Sequence, residues 1–174
     1  MKMKALITTS LLAVLLVAAG CTQTNAKKSE ADAVKPALEQ ADLKDVSVSD
    51  DADKNTIRLG GARHSNDAQG RAGDMAKQAA PERTIANEIS VQAVGDESQA
   101  KAVASNLDDG IENNYKAALI SKRLDKQAIH YKVKNGVLTL TGSVKAPQQK
   151  AEAELLASKV PNVEQVINHI EVKR

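Results

Sequence analysis

Cys21 is the only cysteine in the 174-residue chain, so its thiol has no internal partner for a disulfide and is open to another reaction. It closes the stretch Ala18-Ala19-Gly20-Cys21, directly behind an apolar run and ahead of the polar segment TQTNAKKSEAD. Elsewhere the residues capable of chemistry are sparse. His130 and His169 fall on the outward parity of two strand-like segments and could approach one another, but a pair of imidazoles is short of the tetrahedral ligand set that zinc takes. No serine or cysteine has a recognisable base and orienting group, no glycine-rich stretch has phosphate-loop spacing, and the carboxylates are scattered rather than paired for acid–base work. These residues predict a protein that is not an enzyme, with no metal and no cofactor, and with one covalent site at Cys21.

The segment that must position Cys21 opens with Lys2 and Lys4, runs apolar over residues 5–19 with breaks only at Thr8, Thr9 and Ser10, and closes on small residues. That is the layout of a secretory signal over residues 1–20. The run is short of the roughly 20 apolar residues that a spanning helix needs, and no later segment approaches that length. Ala18-Ala19-Gly20-Cys21 resembles a bacterial lipobox. The resemblance implies a diacylglycerol on the Cys21 thiol and cleavage that leaves this cysteine as an acylated N-terminus. Two or more chains turn reversible membrane contact into stable anchoring. Thr22 follows where an aspartate would hold many such proteins in the inner membrane, so the analogy favours the outer membrane, with the protein facing the periplasm. Ordinary signal cleavage, giving a soluble periplasmic protein, is the alternative. Residues 21–32 read as the lipidated end and a flexible tether.

Removing Lys2 and Lys4 with the signal leaves 22 of the 24 basic residues against 22 acidic ones, so the mature chain is formally neutral. With no Trp, no Phe and only Tyr115 and Tyr131, it lacks both the phosphate-tracking charge and the stacking platforms of a nucleic-acid binder. Aliphatic side chains and alanine must fill the core, which predicts small, modestly stable modules.

A repeat organises the mature chain. NTIRLGGARHS and GVLTLTGSVKA coincide when Gly61 is set on Gly142, 81 positions on, and the match then runs without a gap. Leu59 falls on Leu140, Ala72 on Ala153, Ala76 on Ala157, Ile85 on Val166, Asn87 on Asn168 and Ile89 on Ile170. In the second copy Ile129, Tyr131 and Val133 alternate with polar residues, Asn135-Gly136 marks a tight turn, and Leu138 and Leu140 resume the alternation, predicting a hairpin with one buried face. Pro147 suits the first turn of a helix whose apolar stripe is Ala151, Leu155, Leu156, Ala157 and Val160, and a third strand covers residues 166–172 with Val166, Ile170 and Val172 inward. Upstream, Val103, Leu107, Ile111, Tyr115, Ala118 and Leu119 recur at helical spacing, with Gly110 as a candidate break. The first copy repeats this with a short opening helix at Ala37, Leu38 and Ala41, strand residues Val46 and Val48, a looser turn over residues 50–55, and Gly73 interrupting its second helix. Its core is weaker, so it should be the more mobile copy. The expected fold is α+β: two tandem small αββαβ modules, at 33–94 and 97–174, each a three-stranded mixed sheet packed on two helices.

The second copy's alternating strand, Asn135-Gly136, Leu140 and Gly142, alanine-rich stretch over 151–157, and Val163, Val166 and Asn168 together resemble a BON domain. The first copy keeps Leu59, Gly61, Ala72, Ala76, Ile85 and Asn87 but has Glu82 where the second has Val163, and resembles a divergent copy. The resemblance implies a cell-envelope lipoprotein that associates with phospholipid surfaces or envelope proteins and supports envelope integrity without catalysis. Lys116, Lys122, Arg123 and Lys126, near Tyr115, are the residues that could meet anionic phospholipid head groups, at about 1 kcal/mol per cation close to the surface. An adaptor that contacts other proteins and a soluble, holdase-like stress protein remain as alternatives. Asn87 and Asn168, on the inward parity of their strands, read as buried amides bonded to neighbouring backbone.

Overall fold

Asn135 and Gly136 both take positive φ, +47° and +77°, and place Lys134 directly opposite Val137. This mirror-image turn matches the right-handed twist of the strands it joins, which is why Asn-Gly occupies it. The computed structural model describes residues 26–92 and 97–173, so the export segment and Cys21 lie outside the described residues. Strand β6 (Ala128–Lys134) pairs antiparallel with β7 (Val137–Val144), and β8 (Gln165–Asn168) and β9 (Glu171–Val172) both pair parallel with β7. Helices α3 (Glu97–Ser121) and α4 (Pro147–Ser158) cover one face of this sheet. Their core joins Ile111, Tyr115 and Leu119 to Leu138, Leu140, Ala153 and Ala157.

Residues 26–92 have the same order: α1 (Ala26–Gln40), β1 (Ser47–Asp51), β2 (Thr56–Gly60), β3 (Ala62–Arg63), α2 (Asn66–Ala79), β4 (Thr84–Asn87) and β5 (Ser90–Val91). Here β1 is antiparallel and β4 parallel to β2, and β3 pairs with β5. The 81-residue offset holds in the pairing itself. Leu59 lies opposite Asn87 as Leu140 lies opposite Asn168, and Arg63 opposite Val91 as Val144 opposite Val172. Gly61 and Gly142 take φ of +116° and +98°, and a Cβ at Gly142 would come within 2.0 Å of the Ala128 carbonyl oxygen. Glycine is therefore required where the central strand turns past its neighbour. The described residues form a mixed α+β fold, and none of their helices is long and apolar enough to cross a membrane.

Several expectations change. Residues 26–32 are helical rather than tether: α1 runs back through Pro36 because Ala31, Val34 and Leu38 present one buried stripe. Pro36 is on the exposed side, where water can serve the carbonyl that its ring leaves without a donor. Gly73 and Gly110 interrupt neither α2 nor α3. In α4 the stripe is Ala153, Leu156 and Ala157, continued by Val160 just past the helix end, and Ala151 and Leu155 face solvent. The third strand breaks after Asn168, whose side chain bonds the Ile170 N–H, and Val172 is exposed. The β6–β7 hairpin has two covered faces, since Val137 and Thr139 are buried on the side away from the helices.

Candidate functional site

The proposed head-group cations cluster where α3 ends. The chain leaves the helix through Arg123, held at φ +57°, and the Leu124 N–H returns to the Leu119 carbonyl at 2.9 Å, with both leucines buried. This left-handed exit turns the chain back toward β6. Lys116 is exposed on the last turns of α3, Lys122 and Arg123 are exposed in the exit, and Lys126 follows in the loop. Lys122 Nζ is 3.9 Å from Glu152 and Lys126 Nζ 3.3 Å from Asp125, surface pairs that hold their partners weakly. Nearby, a shallow pocket of about 290 Å³ is lined by Lys116, Leu119, Ile120, Leu124, Asp125, Ile129 and Tyr131. Ile120, which the apolar stripe did not include, is 52% exposed. The structure thus places Lys116 in one wall with an uncovered aliphatic side chain, with Lys122, Arg123 and Lys126 exposed just beyond it in the chain, an arrangement suited to a surface that is anionic outside and apolar within. Tyr115 is wholly buried: its hydroxyl donates to the Ala153 carbonyl at 3.2 Å, and its ring meets Tyr131 edge-on at 5.1 Å.

The histidines are not brought together. His130 lies opposite Thr141 on β6, while His169 follows β8 on the far side of β7, its N–H bonded to Leu140. His169 Nε2 instead sits 3.0 Å from the Thr56 hydroxyl in the first half of the chain. Its pKa is lowered, first by burial and then by Lys54, against an opposing effect of Asp51, with Arg58 and Lys150 adding to the lowering. Among the described residues no group of three or more potential metal ligands converges.

The inward asparagines bracket strand to helix in equivalent ways. Asn87 Nδ2 donates to the Gln69 carbonyl at 2.9 Å, and Asn168 Nδ2 to the Lys150 carbonyl at 3.4 Å. Asn168 also donates to Glu154 at 2.9 Å. In the first half that helix position is Gly73, where a Cβ would come 3.0 Å from Asn87 Nδ2. The glycine read as a helix break thus makes room for the bracket.

Sequence reasoning missed the junction between the two halves. β4 is an edge strand, and the Gln165 amide covers that edge, accepting from the Asn87 N–H at 3.3 Å and donating to the Ile85 carbonyl at 2.8 Å. It substitutes for a neighbouring strand. Asn135 Nδ2 donates to the Glu88 carbonyl at 2.7 Å, and Ala86, Val137 and Ile167 form a small buried cluster. The available signal was parity: Val137, Thr139 and Ile167 are β-branched at positions that a one-faced sheet would leave polar. Beside the junction, a groove of about 350 Å³ exposes Val91, Val103 and Leu107.

Residues 107–174 match the family model described as the BON domain, so a single BON domain is found there, beginning within α3 and ending after β9. A comparison with curated proteins gives no match.

Proposed function

We propose that this is a non-catalytic cell-envelope protein, tethered by acylation of Cys21, whose BON domain associates with phospholipid surfaces and so supports envelope integrity. BON domains as a class are associated with phospholipid and envelope surfaces, and residues 107–174 match one. The observation that carries the reading to a site is the exposed Ile120 sharing a pocket wall with Lys116 at the end of α3, where the exposed Lys122, Arg123 and Lys126 follow. We further propose that residues 33–94 are a divergent second BON copy, with the outer membrane as the tether's destination. The strand pairing and asparagine brackets, shared at one offset, support the second copy.

Flotation with vesicles tests the contact. Replacing Lys116, Lys122, Arg123 and Lys126 with Gln should abolish most binding to vesicles containing anionic lipid, consistent with about 1 kcal/mol per cation, and salt should weaken the native protein's binding. Equal flotation of native and substituted chains would reject this surface. Mass spectrometry of the mature N-terminus tests the tether separately: a product starting at Cys21 with added hydrocarbon mass supports it, and an unmodified terminus gives the soluble periplasmic alternative.

A further inference from the structure

The junction holds a second cationic site, on the face of the BON sheet opposite α3 and α4. Strand β6 is the outer strand of that sheet, and His130, Lys132 and Lys134 emerge from it at alternate positions. Residues so placed recur about every 6.8 Å along one face. Beside Lys132 on β7 lies Thr139, and beside His130 lies Thr141. The first half supplies Lys54 from the turn before β2 and Arg58 from β2 itself, closing a groove of about 510 Å³ between the two sheets.

The charges in this groove are not balanced by its own walls. Four of its lining side chains are Lys or Arg, and Glu88 is the only carboxylate among them. Glu88 is largely buried, its side chain 6% exposed, and spends one oxygen on Arg58 Nη1 at 2.7 Å and the other on Lys134 Nζ at 2.9 Å. It therefore fixes those two cations in place across the junction and leaves Lys54 and Lys132 facing the groove. Lys54 has only Asp51 of its own turn, at 3.5 Å, and Lys132 has no ion pair among the described residues. Gathering like charges in a walled cleft is unfavourable until an anion enters, and the same walls focus the field that draws one in.

We propose that this groove binds a phosphate-bearing anion. Ammonium groups from two sides, an arginine edge and the hydroxyls of Thr139 and Thr141 offer donors from several directions, which suits a tetrahedral oxyanion better than a planar carboxylate. Free phosphate and a lipid head group carry the same chemistry. The inference is independent of the contact proposed at the end of α3, which lies on the other face of the sheet.

The test is titration of the full chain with inorganic phosphate, followed by amide NMR. Saturable shifts at Lys54, Arg58, Lys132 and Thr139 are expected, and the double variant K54Q/K132Q should weaken binding about tenfold, while K44Q/K159Q, at exposed lysines outside both cationic sites, leaves it unchanged. Both replaced lysines are solvent-exposed, and an unaltered spectrum away from the groove establishes that the variant is folded. In the native chain, phosphate should also shield Lys54 and Lys132 from acetylation, a readout that needs no variant. Titration with glycerophosphoglycerol, the water-soluble head group of phosphatidylglycerol, separates the sources: binding tighter than inorganic phosphate and lost in K54Q/K132Q assigns the site to a head group, and weaker binding than inorganic phosphate assigns it to the free anion. Shifts absent from the groove, undiminished phosphate binding by K54Q/K132Q, or an equal loss in K44Q/K159Q would overturn the proposal.

Discussion

The two halves share a backbone plan and differ in what fills it. Tyr115, the largest wholly buried apolar side chain of the second half, has Val34 at the equivalent position of the first, also wholly buried. Val144 is buried in the second half, whereas its counterpart Arg63 reaches Asp45 at 3.5 Å and leaves Nε and Nη2 without partners among the described residues. The second hairpin turns in two residues; the first needs the four at 52–55 between Asp51 and Thr56. Yet the brackets from strand to helix and the positive-φ glycines persist in both. Backbone geometry at a few points is therefore enough to keep the plan, while the depth of the core is free to vary. The shallower half also leans on the deeper one, since Thr56 and Ala86 are wholly buried in its outward face and meet His169, Val137 and Ile167.

The sharpest way to break this contrast is in the two cores. Tyr115→Ala should destabilise the second half by about 3–5 kcal/mol, through a cavity and a lost hydrogen bond to Ala153. Val34→Ala removes far less volume and should cost about 1–2 kcal/mol. Urea unfolding followed by hydrogen exchange would compare them: Tyr115→Ala should release both halves, because the first loses its cover, whereas Val34→Ala should release the first alone. A larger loss from Val34→Ala would reverse the ranking of the cores.

The asparagine brackets sharpen the contrast at smaller scale. Asn168 donates to Glu154 at 2.9 Å and accepts from the Ile170 N–H at 3.0 Å, whereas the Asn87 side chain donates to the Gln69 carbonyl and its buried Oδ1 has no donor among the described residues. Asn168→Ala should therefore cost about 2–3 kcal/mol and Asn87→Ala about 1 kcal/mol, measured as shifts in the urea midpoint at constant slope. Equal costs would mean that the Glu154 contact adds nothing.

How much of this could be read beforehand follows from what leaves a period in the sequence. The alternation of Ile129, Tyr131 and Val133 and the Asn-Gly turn have a direct geometric meaning, and so the hairpin and its inward face were legible. Asn87 and Asn168 were legible because the offset placed both on inward parity. The junction left only the outward parity of the β-branched Val137, Thr139 and Ile167 as a trace, and because such residues form strands well on either face, that trace does not say what covers them. Lys132 and Lys134 are simply the polar positions of the β6 alternation until Arg58 and Lys54 are placed across from them. Gly73 looked like a helix break because composition shows the missing side chain and not the Asn87 amide that needs its space. The exposed Ile120 was hidden for a related reason: helical spacing marks a stripe but not where the covering sheet stops.

Helix glycines give a smaller pair of effects. Gly70 in α2 and Gly110 in α3 are exposed, and a Cβ at either meets nothing within 4 Å. Gly70→Ala and Gly110→Ala should each stabilise by about 0.5–1 kcal/mol, chiefly by limiting the unfolded chain. The smaller core side chains of the first half predict that Gly70→Ala slows exchange of its amides specifically, and uniform slowing across both halves would show instead that the two unfold as one unit.

The gentlest perturbation acts at the junction itself. His169 has a folded-state pKa below the ordinary 6.5, set first by burial and then by Lys54, so the folded chain favours the neutral ring at Thr56. The unfolded chain then binds the proton more readily, so the junction's contribution is complete above about pH 6.5 and is lost as pH falls through the lower folded-state value. Acidification from pH 7.5 to 5 should raise amide exchange around Ala86 and Ile167 by about two- to threefold, well before the core of the second half responds. His169→Gln keeps a partner for Thr56 without the titration and should flatten that dependence. If the pH response survives the substitution, His169 does not carry it and the coupling assigned to this histidine is rejected.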